Sequence, residues 1–202
     1  MYLMPFDCET GGLNPDKNTL LTVYMAILNE NLEKVDELDL KLKPDNGQYV
    51  CDEEALSINK IDIQKHDKEA VPYSEAIKLI ETFLKKHSPK KRGVRPAGHN
   101  IAFDIEFIKR QLKIDKLWEE KCHYRVLDTT PITTFMQDVG VWPDKLGSLV
   151  SLVEHFNVPM LNAHTAKDDV LMWIEVYKQM KIQTKQSLTG PGNNDELSLL
   201  EI

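Results

Sequence analysis

Thr19-Leu20-Leu21-Thr22-Val23-Tyr24-Met25-Ala26-Ile27-Leu28 is a ten-residue apolar run rich in β-branched and aromatic side chains. Its length and composition predict a buried strand rather than a helix. Working outward, Asn29-Glu30-Asn31 turns the chain into Val35–Leu42, where Val35, Leu38, Leu40 and Leu42 fall mostly on alternate positions. On the other side, Tyr2–Asp7 reads as a short first strand, followed by the breaker-rich turn Thr10–Pro15. Together these form an antiparallel meander of three strands. Pro5 is awkward in a central strand, since it has no N–H for the ladder, and it predicts a bulge or an early end there.

Beyond Gly47 the pattern changes to helical spacing. A short helix opens at Asp52-Glu53-Glu54, and Ser74–Lys86 carries Ala76, Ile77, Ile80, Phe83 and Leu84 on one face. Val94–Gly98 and Tyr124–Asp128 read as short strands, each followed by a helix, one over Ile101–Leu112 and one opening near Pro131. Leu146–Phe156 and Thr165–Met180 are the last two helices. Strands first and strand–helix alternation later predict an α/β domain: a mixed five-stranded sheet, three antiparallel strands plus parallel ones, flanked by helices. The domain is placed at residues 1–181. From Ile182 the periodicity stops, and Gly190-Pro191-Gly192 marks residues 182–202 as a flexible tail.

The 202 residues suit one well-buried domain, with an ordinary globular balance of 42% apolar and 28% charged residues. No apolar run reaches the length of a membrane span, and the N-terminus lacks a signal-peptide pattern. Cys8, Cys51 and Cys122 are scattered and odd in number, which argues for a reducing compartment, a cytoplasm (the host's, for a viral source). All three read as buried or half-buried side chains, and Trp118, Trp142 and Trp173 as core or rim packing. The net charge of −7 disfavours a general duplex binder. It is compatible with a site that concentrates carboxylates around divalent cations, which reverse the local sign.

Three acidic clusters stand out. In Asp7-Cys8-Glu9-Thr10 the two carboxylates, two apart on a strand, share a face and need a compensating cation. Oxygen ligands of this kind suit magnesium or manganese. In Gly98-His99-Asn100-Ile101-Ala102-Phe103-Asp104, the aspartate falls in a first helical turn, where plain capping is the bland alternative. In His164-Thr165-Ala166-Lys167-Asp168-Asp169, His164 overhangs a helix start that carries Asp169 one turn in, while Asp168 points elsewhere. An imidazole, with an ordinary pKa of about 6.5, suits proton abstraction from water.

In order and spacing these clusters resemble the three motifs of the DEDDh 3′–5′ exonuclease superfamily, with H-x-A-x-x-D marking the histidine branch. The resemblance covers roughly residues 2–180, and Ala55–Ile61 and Leu146–Leu149 are similar to the family's supporting helices. It implies a ribonuclease H-like fold and two Mg2+ or Mn2+ ions. Asp7, Glu9 and Asp169 would bind one ion and Asp7 with Asp104 the other, while His164 would be the general base. It further implies that Thr10, Gly11, Gly12 and Leu13 line the terminal nucleotide, with Ala55, Asn59 and Phe103 completing the pocket. Gly11 stands where many members have threonine and Asn59 where some have histidine, so base and sugar preference stay open.

The implied activity is release of nucleoside 5′-monophosphates from the 3′ end of DNA, single-stranded or frayed. DNA is favoured over RNA, with an exoribonuclease or oligoribonuclease-like enzyme, or a catalytically idle docking subunit, as alternatives. The basic stretch from Lys85 to Arg95 is either a solvated loop or a guide for the nucleic-acid backbone. Glu196-Leu197-Ser198-Leu199-Leu200 looks like a short peptide that docks on a sliding clamp or replication polymerase. Its bland alternative is a plain disordered or back-folded end.

Overall fold

The computed structural model describes residues 2–88, 93–162 and 164–189, with side chains to Gln186. The apolar run becomes β2 (Leu20–Leu28), paired antiparallel with β1 (Leu3–Thr10) and with β3 (Lys34–Lys43). The meander is therefore as the alternation predicts. Among the described residues the sheet has six strands rather than five, in the order β4-β3-β2-β1-β5-β6. The added strand, β4 (Val71–Pro72), runs parallel to the end of β3. Two residues, one a proline at an edge, leave no period to read. β5 (Arg95–Gly98) lies parallel to β1, and β6 (Leu127–Asp128) parallel to β5. β6 is shorter than the Tyr124–Asp128 expected from sequence, and Tyr124 and Val126 are exposed.

Pro5 neither bulges nor ends β1. Partners run Leu3–Leu28 and then Phe6–Met25 in unchanged register, with a gap at Met4 and Pro5, while β5 still pairs with this segment on the other side. The irregularity sits instead between Glu9 and Thr10, where the chain leaves the sheet.

Alternation on β1 assigns its two faces. Met4, Phe6 and Cys8 enter the core beneath α3 (Tyr73–His87), α4 (Ile101–Leu112) and α5 (Asp115–Lys121). The opposite face, through Tyr24, Ala26, Leu28 and Ala97, packs on Val170, Trp173 and Ile174 of α8 (Ala166–Thr189). Asp7 and Glu9 alternate onto this α8 side. Behind α8 lies a third cluster that includes Trp142 and α7 (Leu149–His155). The remaining helices are α1 (Glu53–Asn59), α2 (Ile63–Glu69) and α6 (Thr129–Asp138). α2 and α5 have seven residues each and were not legible as separate helices in the sequence.

Trp118, Trp142, Trp173, Cys8 and Cys122 are buried, and Cys51 is half-buried, as expected. α8 continues through Ile182 to Thr189, so the end of periodicity marks where the helix leaves the core, not where it stops. Gln183 there accepts a hydrogen bond from Trp142 Nε1 at 2.8 Å. Residues 190–202, which include Glu196–Leu200, and residues 89–92 of the basic stretch lie outside the described residues. Of the rest of that stretch, Lys85 pairs with Glu81, and Lys86 and His87 both pair with Asp36. No described helix is long and apolar enough to cross a membrane.

Candidate active site

β1 and α8 bring three of the predicted acids together. Ligand oxygens of Asp7, Glu9 and Asp169 lie within 4.8 Å of one another, all on half-buried side chains. Asp169 stands in the first turn of α8 and its Oδ1 accepts the His164 N–H at 3.3 Å. His164 itself is exposed, with φ +71°, a left-handed conformation that few non-glycine residues hold. Asp168 turns away and accepts from Asn162 Nδ2 at 3.2 Å. It is the bystander that helical geometry predicts.

Asp104 is buried rather than an exposed capping group, and it lies outside the three-acid cluster. Its Oδ1 accepts the N–H of Cys8 at 2.9 Å, between the two acids of β1. Asn100 makes no side-chain capping bond. It occupies the N-cap of α4 in the left-handed region, and its N–H donates to Asp128 Oδ1 and to Thr130 Oγ1, each at 2.9 Å. Asp128 was missed in the sequence. Its signal was the N-cap pattern Asp128-Thr129-Thr130 after a strand, which it fulfils by accepting the Thr130 N–H at 2.8 Å. Thr129 is a second omission, a buried hub that links Trp173 Nε1, His99 Nδ1 and the Gly98 carbonyl.

The electrostatics of these acids suit a cation site. Burial, followed by repulsion from Asp104, Glu9 and Asp169, holds the Asp7 carboxyl well above the usual carboxylate range. Burial first, then Asp169 and Asp104, pushes Glu9 up to about 8. Burial raises Asp104 to about 7 and also lifts Asp169. Such a carboxyl binds more protons in the folded than in the unfolded chain between its two pKa values. Stability of the metal-free protein is therefore expected to fall as pH rises from about 4 to about 8. Melting in chelator should show that decline, and saturating magnesium or manganese should raise Tm more at about pH 8 than at about pH 5. A metal-free Tm that climbs over this interval would contradict the electrostatic picture.

The predicted nucleotide loop is pinned on its outer side. Gly11 N–H donates to Thr19 O at 2.7 Å, the Asp52 N–H returns to Gly11 O at 2.6 Å, and Thr10 Oγ1 donates to Gly12 O at 2.7 Å. A Cβ on Gly11 would stand 2.7 Å from both Cys51 Sγ and the Val50 carbonyl. There is thus no room for the threonine common at this position. Asn59 is buried, donates from Nδ2 to Thr10 O at 3.1 Å and accepts the Ile61 N–H at 3.1 Å, so its amide braces the loop. Ala55 stands one turn earlier on α1, Phe103 packs against Phe107, and Leu13 is 83% exposed.

Two cavities flank the acids. One, of 360 Å³, includes Asp7, Asp169, His99, Asn100, Thr130 and Ser148. The other, of 510 Å³, includes Glu9, Asn59, Lys60 and His164.

In sequence and in fold the chain is similar to known proteins. The model of a family described as exonuclease (RNase_T) matches residues 5–177. A probable oligoribonuclease of Schizosaccharomyces pombe is 30% identical over 140 residues, covering 64% of this chain and 52% of that protein. The PolC-type DNA polymerase III of Caldanaerobacter subterraneus is 28% identical over 176 residues, covering 87% of this chain and 11% of that protein. This chain thus spans about half the length of the first relative and a small part of the second. Among solved structures, E. coli exonuclease I in complex with a dT13 oligonucleotide shares the fold. The TM-score is 0.76 at 16% identity, over 92% of this chain and 42% of that one.

Proposed function

Because the chain belongs to the exonuclease family, matched over residues 5–177, we propose that it is a metal-dependent 3′–5′ exonuclease acting on single-stranded or frayed nucleic acid, DNA in preference to RNA. The observation that carries this reading is the convergence of the Asp7, Glu9 and Asp169 carboxylates within 4.8 Å, with buried Asp104 hydrogen-bonded to the strand between the first two. Four carboxylates raised by burial, Asp7 and Glu9 also by repulsion from the others, fit hard divalent cations.

Asp7, Glu9 and Asp169 would hold one magnesium or manganese ion, and Asp7 with Asp104 a second. When bound, such ions lower the pKa of the attacking water and neutralise the leaving oxygen of a phosphodiester. The protein's own groups do the rest. His164, lining the cavity beside Glu9, takes the proton from the attacking water. Thr10–Leu13, backed by Asn59, receives the terminal nucleotide, with exposed Leu13 wedged against its base and Ala55 and Phe103 on its flanks. The Asn59 amide, engaged with Thr10 O and Ile61 N–H, acts by holding this loop.

A second reading, an RNA-trimming enzyme, is favoured by the 30% identity to a probable oligoribonuclease. Matched DNA and RNA single strands, digested in magnesium under identical conditions, separate the two. A larger kcat/KM on DNA is expected, and a preference for RNA would replace the first reading with the second. The docking peptide at Glu196–Leu200 is kept as a proposed contact with a sliding clamp or polymerase. A peptide of that sequence titrated against a clamp, with Leu197 and Leu199 replaced as controls, tests it.

A further inference from the structure

The cavity at Asp7 and Asp169 does not end at the acids. Asn100 and Thr130 line it, and the same two residues line a wider, more open cleft of 550 Å³ with Asp128, Thr134, Phe135 and Asp138. Phe135 projects from α6 with 62% of its surface exposed. Val139, one turn further on, is exposed as well, and so is Val141. The outer side of α6 thus carries an aromatic ring and an aliphatic flank in solvent, continuous with the candidate active site.

The route of a strand follows from the two cavities that flank the clustered acids, one lined by Asp7 and Asp169 and the other by Glu9. With the terminal nucleotide at Thr10–Leu13 and Asn59, on the side of Glu9 and His164, the preceding nucleotides must leave through the cavity of Asp7 and Asp169. Its open continuation passes Asn100 and Thr130 and reaches Phe135. Charge decides which side of the strand faces α6. Asp128 and Asp138 line the cleft and repel phosphodiesters, so the bases turn toward the helix and the phosphates toward water. Asp128 is held in place by the N–H groups of Asn100 and Thr130, which makes the floor of the cleft a fixed surface.

We propose that Phe135 is a stacking platform for a base upstream of the scissile phosphate, so that the enzyme's preferred substrate is an extended single strand rather than a dinucleotide. This inference rests on the exonuclease reading above. Every base has a π-face, so such a platform strengthens binding without selecting sequence.

The test measures KM for oligodeoxynucleotides lengthened one residue at a time from two to about eight nucleotides. In the wild type, KM falls once the strand reaches Phe135, by about 5- to 150-fold, the range for one stacked base. Phe135→Ala loses that gain with length, Phe135→Trp keeps it, and Phe135→Leu, apolar without a ring face, loses it. A gain that persists in Phe135→Ala overturns the proposal. So does one that Phe135→Leu preserves, since the contact with the strand would then need an apolar side chain but no ring face. Anisotropy of the same labelled strands in chelator reads the platform without cleavage. If none of the four proteins cleaves yet the length-dependent affinity follows this pattern, the exonuclease reading fails and the platform stands.

Discussion

Asp7→Ala is expected to abolish cleavage of a single-stranded oligonucleotide in magnesium while the protein remains folded. Asp7 is the one acid assigned to both ions, and it shares the three-carboxylate cluster with Glu9 and Asp169. Metal stabilisation of the developing charge is worth several kcal/mol, and about 4 kcal/mol corresponds to roughly a thousandfold in rate. The fold survives because the Asp7 carboxyl is held above its usual range by burial and by three like charges. Ionised without metal, it opposes folding, so in chelator at about pH 8 the variant should melt no lower than the wild type. Asp169→Asn is expected to lose activity to a similar degree, although its amide oxygen can still accept the His164 N–H. Wild-type activity in purified Asp7→Ala, free of contaminating nuclease, would sink the assignment.

His164→Ala is the second large effect, with a different profile. Removing a positioned general base costs about 10²- to 10⁴-fold in rate. His164 is not among the clustered ligands, and its link to Asp169 runs through the backbone N–H, which alanine retains. Manganese titrated calorimetrically should therefore bind His164→Ala with nearly wild-type affinity and stoichiometry, while kcat collapses. Loss of manganese binding along with activity would make His164 a ligand or a structural prop instead. Its left-handed φ of +71° adds a control. His164→Asn, tolerant of that backbone, should fold like the wild type and still lack the base.

Much of this arrangement was legible because it obeys short periods. Asp7 and Glu9 share a face by the period of two, and Asp169 sits one turn into a helix whose apolar stripe of Val170, Trp173 and Ile174 drives it onto that face of the sheet. Asp104 was readable as a residue but not in its local role. Its place in a first helical turn suggested plain capping, whereas its bond to the Cys8 N–H spans 96 residues of sequence. Asn59 was readable as a pocket residue, and it lines the cavity beside Glu9, but its bond to the Thr10 carbonyl was not readable. β4, α2 and α5 are too short for a period to develop. At Pro5 the local rule was overridden by pairing with β5 on the other side of the strand.

These acids and His164 are expected to remove nucleotides one at a time from a 3′ end in a metal-dependent reaction. The same single strand, labelled at its 5′ end in one sample and its 3′ end in another, tests this most directly with the protein in magnesium and in chelator. Expected are a 5′-labelled ladder shortening one nucleotide at a time, immediate release of a labelled 5′-monophosphate from the 3′-labelled strand, and no cleavage in chelator. Internal cuts, mononucleotides released first from the 5′ end, or cleavage undiminished by chelator would contradict it.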